Sequence, residues 1–295
     1  MMTNSDSAAF SRSGATAIRL AALVCLLISC TSAAQEARWR LQFYTENNVE
    51  QSVLGQPYQP SMTEIAIDRM LDAGASAGWK HEYRILDLPE VNGVAAQTNG
   101  HVHRTGPTWR KVSPERRIRV EPRIAVSSNA LRHPKDLEAQ DLSLSAAVEQ
   151  LIAGDASRAW WLALYVDDRF GDTRLYPGLY AQVVSTNGHE LRLGFPDTSW
   201  RWRLSQWLQS EVSVEPDGGK WRVRDEELAQ HSDVQLRAWK LVWIARWQPV
   251  DALALDVRIG RRFDSDLRYL LQDGSSAYVE VPDTSFFGFG VSARF

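Results

Sequence analysis

The run Phe286 to Phe295 reads Phe-Phe-Gly-Phe-Gly-Val-Ser-Ala-Arg-Phe and alternates with a period of two. Phe287, Phe289, Val291, Ala293 and Phe295 share one face. Phe286, Gly288, Gly290, Ser292 and Arg294 share the other, and all of these but Phe286 are small or polar. Successive side chains of a strand point to opposite faces, so this pattern predicts a β-strand that continues to the last residue. A chain end normally frays. A strand this regular needs a neighbour, and an aromatic residue ending its apolar face suits a sheet closed on itself in lipid.

The other end of the chain supports export. Arg12 and Arg19 precede a short apolar run, Leu20 to Ile28, and small residues follow up to Ala34. This is the layout of a secretion signal over residues 1–34, with a core too short to span a membrane as a helix. Two exits fit. Ser32-Ala33-Ala34 is a small-x-small cleavage site that leaves Gln35 first, and residues 35–295 then form one barrel domain. Leu27-Ile28-Ser29-Cys30 also suits lipidation at Cys30. Either exit removes Cys25, so no internal disulfide is expected in an exported chain.

Removing residues 1–34 takes away Asp6, Arg12 and Arg19, which moves the formal charge from −3 to −4. A chain of that sign is no nucleic-acid binder. No later stretch approaches the roughly 18 apolar residues of a membrane helix. A barrel wall needs only alternate apolar residues, which average hydropathy overlooks. The 12 tryptophans favour membrane interfaces.

Alternation recurs along the chain. Trp79, His81, Tyr83 and Ile85 oppose Lys80, Glu82 and Arg84. Ile118, Val120, Ile124 and Val126 oppose Arg117, Arg119, Glu121 and Arg123. Trp200, Trp202 and Leu204 oppose Arg201 and Arg203. The expected fold is an all-β, antiparallel up-and-down transmembrane β-barrel. Its strands fall near 38–45, 62–71, 78–87, 116–127, 141–151, 158–168, 174–184, 189–196, 199–214, 233–247, 251–263 and 285–295. That is about twelve, within a range of ten to fourteen, because residues 94–103 could hold another. With both termini on one side, the gaps 46–61, 88–115, 152–157, 185–188, 215–232 and 264–284 fall outside, and most are long. The gaps 72–77, 128–140, 169–173, 197–198 and 248–250 fall inside, and all but 128–140 are short. Long outer loops and short inner turns are what such barrels show. Strand 233–247 changes parity between Ala238 and Leu241, which predicts a β-bulge there. Asn187-Gly188, Asp217-Gly218-Gly219 and Asp273-Gly274 read as turns. Pro-Asp-Thr-Ser, at Pro196–Ser199 and Pro282–Ser285, reads as one turn solution used twice.

Chemistry is sparse. Gly74-Ala75-Ser76-Ala77-Gly78 matches a nucleophile-elbow pattern but lacks the buried strand before it and the helix after it. It reads as a tight turn. The six histidines show no metal spacing. His101 and His103 fall in an expected loop, and His81 and His189 have no serine partner on a neighbouring strand. No catalytic, cofactor or metal site is expected. Arg117, Arg119, Arg123, Arg201, Arg203, Asp256, Arg258, Arg262 and Arg294 fall on lumen faces. They could attract anionic solutes. They could equally form arginine–carboxylate ladders that fill a narrow barrel, and the balance favours a filled or very narrow lumen.

Leu191–Asp197, Pro216–Trp221, Gly260–Phe263 and the terminal Phe295 resemble motifs in a family of uncharacterised bacterial outer-membrane β-barrel proteins, over roughly residues 116–295. The resemblance implies a barrel in outer-membrane lipid, and it assigns no reaction. It also implies that Phe287, Phe289, Val291, Ala293 and Phe295 form the signal read by the barrel-assembly machinery. That machinery and periplasmic chaperones would be transient partners. The expected function is a narrow channel or a structural barrel. The alternatives are an envelope lipid-modifying barrel enzyme and a soluble periplasmic β-sandwich.

Overall fold

A computed structural model describes residues 39–71, 74–86, 100–133, 135, 137–224, 231–271 and 274–295. The expected secretion signal with its Cys30 alternative, residues 94–99 and Asp273 lie outside the described residues. In chain order the strands are β1 (Trp39–Asn48), β2 (Gln51–Val53), β3 (Gln56–Tyr58), β4 (Ser61–Met70), β5 (Ala75–Ile85) and β6 (His101–Val112). Next come β7 (Arg116–Ser127), β8 (Leu142–Gly154), β9 (Arg158–Asp167), β10 (Arg174–Val184), β11 (Glu190–Phe195) and β12 (Thr198–Arg203). The last six are β13 (Leu208–Pro216), β14 (Gly219–Arg224), β15 (His231–Val250), β16 (Leu253–Leu270), β17 (Ser276–Val281) and β18 (Thr284–Arg294). One short helix, α1 (Ser128–Leu131), follows β7.

Fourteen of these strands close a ring. β1, β4 to β13, β15, β16 and β18 each pair antiparallel with the next, and β18 returns to β1. Phe295 and Trp39 exchange backbone bonds of 2.9 and 3.0 Å, so the terminal strand lies in the seam of the barrel. Closure leaves the fourteen-strand ring without an edge strand, which suits a wall in lipid. Among the described residues no helix is long and apolar enough to cross a membrane.

The outer face is apolar. Ile67, Leu144, Leu162, Leu164, Trp243 and Ile259 are each more than a third exposed on outward positions. Trp39, Trp109, Trp160, Trp207 and Trp247, also exposed, cluster toward the end that holds the termini. An apolar band with an aromatic girdle is a lipid-facing wall, and it is no outer face for a soluble sandwich.

The ring has fourteen strands rather than about twelve, and two segments account for the difference. Residues 101–112, expected mainly as loop, form β6 between β5 and β7. Residues 199–214, expected as one strand, are β12 and β13 joined by a turn at 204–207. The first addition moves every following connection to the opposite end, and the second moves them back. Connections 152–157 and 185–188 therefore lie at the terminus end, not the far end. Connections 128–140, 169–173 and 197–198 move to the far end, which removes the long inner loop that the sequence reading required. The terminus end then carries only short turns, and the far end carries the long connections. Residues 75–78, expected in a turn, belong to β5, where Gly78 lies too close to Ile67 and Asp68 for a side chain.

Strand length is uneven around the ring. β15 and β16 have 20 and 18 residues, whereas β11 and β12 have six each. The tall side continues beyond the ring. β14 prolongs β13 along β15, since Pro216 pairs with Trp239 and Gly219 with Leu236. β17 likewise runs in line with β18 along β16. Asp217-Gly218 and Pro282-Asp283 are thus kinks in continuing strands, while Pro196-Asp197 joins β11 to β12. The repeated Pro-Asp pair serves two different geometries.

The expected bulge in 233–247 is absent from β15. Val234, Leu236, Ala238, Lys240 and Val242 all keep one inward parity and are all buried. The register shift belongs to β16, which places an extra residue at Asp264 with φ +50°. Val234, Leu236 and Ala238, which their apolar alternation places outward, face inward instead, because the interior itself becomes apolar at that end.

Candidate functional site

The barrel interior is the site with the densest functional chemistry, and its two ends differ. At the loop end the interior is closed. β7 and β15 stand seven places apart in the ring of fourteen, on opposite walls, yet β14 pairs with both. Paired strands lie about 4.8 Å apart, so these walls lean to within about 10 Å of each other at this level. β14 is a roof over the lumen. Ser127 Oγ accepts from Arg224 N at 3.2 Å and anchors the roof to the β7 side.

Beneath the roof lies an apolar core. Val53 and Tyr58 from the β2–β3 hairpin meet Leu86, Val102, Trp221, Val223, Val234, Leu236, Leu267 and Tyr269. Trp221 is 1% exposed, and the Arg104 guanidinium stacks 4.3 Å from its ring centroid. Directly below is a buried ion network. Asp217 accepts from Arg262 Nε at 2.6 Å and from Arg84 at 3.1 Å. Glu46 accepts from Lys240 at 2.6 Å and also from Arg262 and Tyr44. Arg104 donates to Asp168 at 2.6 Å, and that carboxylate also accepts from Lys220 N at 3.1 Å. Burial alone would raise the Asp217 carboxyl, but Arg262, Arg84 and Lys240 outweigh it and hold the group well below the usual carboxylate range. A Cβ at Gly219 would displace the Arg104 guanidinium, which occupies that place. A cavity of about 20 Å³ lies between Asn48, Arg84, Arg262 and Leu236. That holds about one water.

At the turn end the interior is open and lined by arginine. One cavity of about 410 Å³ is bordered by Arg117, Trp161, Gln182 and the 155–156 turn. Another of about 200 Å³ is bordered by Arg110, Arg117, Arg119 and Glu149. Arg117 stacks 4.1 Å from the Trp161 ring and donates to Gln182 at 3.0 Å. Arg192 lies 3.7 Å from the Tyr180 centroid, and Tyr180 Oη donates to Glu149 at 2.6 Å. These guanidiniums rest their flat faces on aromatic rings.

The nine residues expected on the lumen face do not form one site. Arg262 belongs to the loop-end network. Arg123 bonds Glu121 and sits between the two ends. Arg117 and Arg119 line the turn-end cavities. Arg201 bridges Glu211 at 2.7 Å and Glu190 at 3.0 Å. Arg246 grips Asp256 through two bonds of 2.7 and 2.9 Å, and Arg258 lies 3.7 Å from the same carboxylate and 3.9 Å from the Tyr44 ring. Arg203 and Arg294 are exposed at the turn end, Arg294 in register with Arg40. In the terminal strand Phe287 is exposed on the outer face, Phe289 and Val291 are half-buried there, and Ala293 is covered between Leu41 and Leu253.

Several functional residues were not legible. Asp217, Trp221 and Arg84 form the roof contacts, and Pro-Asp-Gly-Gly-x-Trp gave only a turn signal. His101 and His103 lie on β6 rather than in a loop and face outward. His103 Nε2 is 2.8 Å from Ser128 Oγ, a serine–histidine contact that the loop reading concealed.

No protein-family model matches the chain, and no curated protein matches it. Solved structures with a similar fold include an outer-membrane channel from Pseudomonas putida F1, at 5% identity over 90% of this chain and 98% of that one, with a TM-score of 0.43. The toluene transporter TodX of P. putida is similar at 6% identity over 88% of this chain and 91% of that one, with a TM-score of 0.40. The NanC porin is similar at 8% identity over 86% of this chain and all of that one, with a TM-score of 0.39. These proteins are outer-membrane barrels, and at such scores they assign no activity to this chain.

Proposed function

We propose that this chain is a bacterial outer-membrane barrel with a roofed lumen. An arginine-lined vestibule opens to the periplasm and attracts anions, and passage to the cell surface requires displacement of β14. The single observation that carries this reading is the pairing of β14 with both β7 and β15 across the barrel mouth. The short turns at the terminus end support placing that end in the periplasm, and the long connections support an outward loop end. The vestibule arginines concentrate anions by the field they sum to, whether or not transfer follows.

Planar-bilayer recording tests the reading. The native protein is expected to show no steady conductance at low voltage. A variant with residues 217–224 replaced by a short glycine–serine linker is expected to conduct, with anions preferred. Steady conductance from the native barrel would refute the roof, and so would silence from a linker variant that still shifts its SDS mobility on boiling.

A further inference from the structure

A second polar cluster lies on the outside of the wall, away from the lumen. β5 turns His81 and Tyr83 outward, and β6 turns out His101 and His103. Lipid-facing positions are normally apolar or aromatic, yet these four gather. His103 lies 5.4 Å from His81 and 4.9 Å from Tyr83 between ring centroids, and Tyr83 Oη bonds His101 Nδ1. Val126 on β7 stands opposite His103. Val126 is fully covered, and two residues later Ser128 opens α1 and sets its Oγ 2.8 Å from His103 Nε2. This is the level at which the apolar wall ends and polar residues such as Arg132 and His133 begin. In a bilayer, acyl ester groups lie at that boundary between hydrocarbon and headgroup.

We propose that Ser128 and His103 are a nucleophile and its base, acting on acyl esters of lipids in the leaflet beside the loop end. As Ser128 Oγ attacks the ester carbonyl carbon, His103 Nε2 takes its proton. Collapse of the tetrahedral intermediate breaks the ester C–O bond, and the same proton goes to the departing alcohol oxygen. Water then attacks the acyl carbon of the acyl-serine and gives a proton to His103 Nε2; collapse breaks the acyl C–Oγ bond, the proton passes from His103 to Ser128 Oγ, and a free fatty acid leaves. Atoms and charge balance without a further reactant. His103 Nδ1 has no hydrogen-bond partner among the described residues. The ring is therefore held by contact with Tyr83 and His81, not by a carboxylate, and the pair works as a dyad. The proposal rests on the membrane-spanning reading and is independent of the roof.

The test uses the full chain refolded into phosphatidylglycerol–phosphatidylcholine vesicles. A fluorophosphonate probe is expected to label Ser128, as mapped by mass spectrometry. A fluorogenic acyl ester in the same vesicles is expected to be hydrolysed. His103→Gln should slow hydrolysis by about 100-fold or more, and Ser128→Ala should abolish both hydrolysis and labelling without removing the boiling shift. Labelling of the native protein keeps the test valid if a variant misfolds. A chain that fails to insert overturns the membrane-spanning reading and this proposal together. A chain that inserts and shifts on boiling, yet leaves Ser128 unlabelled, overturns this proposal alone.

Discussion

The two ends of the lumen are built from the same residue types and reach opposite outcomes. At the loop end buried arginines meet carboxylates beneath the roof: Arg84 and Arg262 on Asp217, Arg104 on Asp168. At the turn end Arg203 and Arg294 are exposed, and Arg258 lies 3.7 Å from its nearest carboxylate, which Arg246 already grips. Burial decides the difference. Two charges taken out of water must be paired and hydrogen-bonded, and removing one strands the other. Charges beside open water lose little when a partner goes. An arginine therefore acts as cement at one end and as a field source at the other.

Asp217→Ala tests this contrast most severely. It leaves Arg84 and Arg262 facing each other in the closed half, and it should lower barrel stability by about 3–5 kcal/mol. The measurement is the temperature at which the SDS mobility shift occurs. Trp221→Ala removes the ring beneath Arg104 and should cost about 3 kcal/mol by the same assay, through an unfilled core cavity. A smaller effect concerns pH. The Asp217 carboxyl is depressed in the folded state, so its contribution is fully present above the unfolded value of about 4. It is lost only as pH falls through the lower folded value. Conductance should therefore stay absent from pH 7 to pH 5, and opening within that window would show that another group holds the roof. The smallest effect on stability belongs to Arg258→Ala, at under about 1 kcal/mol. In a roof-deleted barrel the same change should reduce anion preference in bilayer recordings. Equal destabilisation by Arg258→Ala and Asp217→Ala would erase the contrast between the two ends.

Much of the wall was legible, because lipid outside and a charged lumen inside impose a period of two. β6 escaped because its outward residues His101, His103, Thr105 and Pro107 carry no apolar signal, and Gly106-Pro107 resembles a turn. The β12–β13 turn escaped because Leu204 and Trp207 are apolar in a place where turns usually hold glycine or asparagine. The inward charges could be assigned from parity alone. Their division into network and vestibule could not, since it depends on a strand crossing between walls half a ring apart. Parity also failed at Val234 and Leu236, where the interior is as apolar as the exterior. The Ser128–His103 contact joins residues 25 apart through a strand the pattern missed.

The uneven strand lengths have a mechanical consequence for the surrounding bilayer. Six residues of β11 or β12 measure about 20 Å along the strand, and a tilt near 40° leaves about 15 Å of height. A hydrocarbon core is about 30 Å thick. Lipid beside this side of the wall must compress or splay its chains to match, while lipid beside β15 and β16 meets a wall taller than itself. The protein thus imposes a thickness gradient around its own perimeter, softening the membrane along one flank.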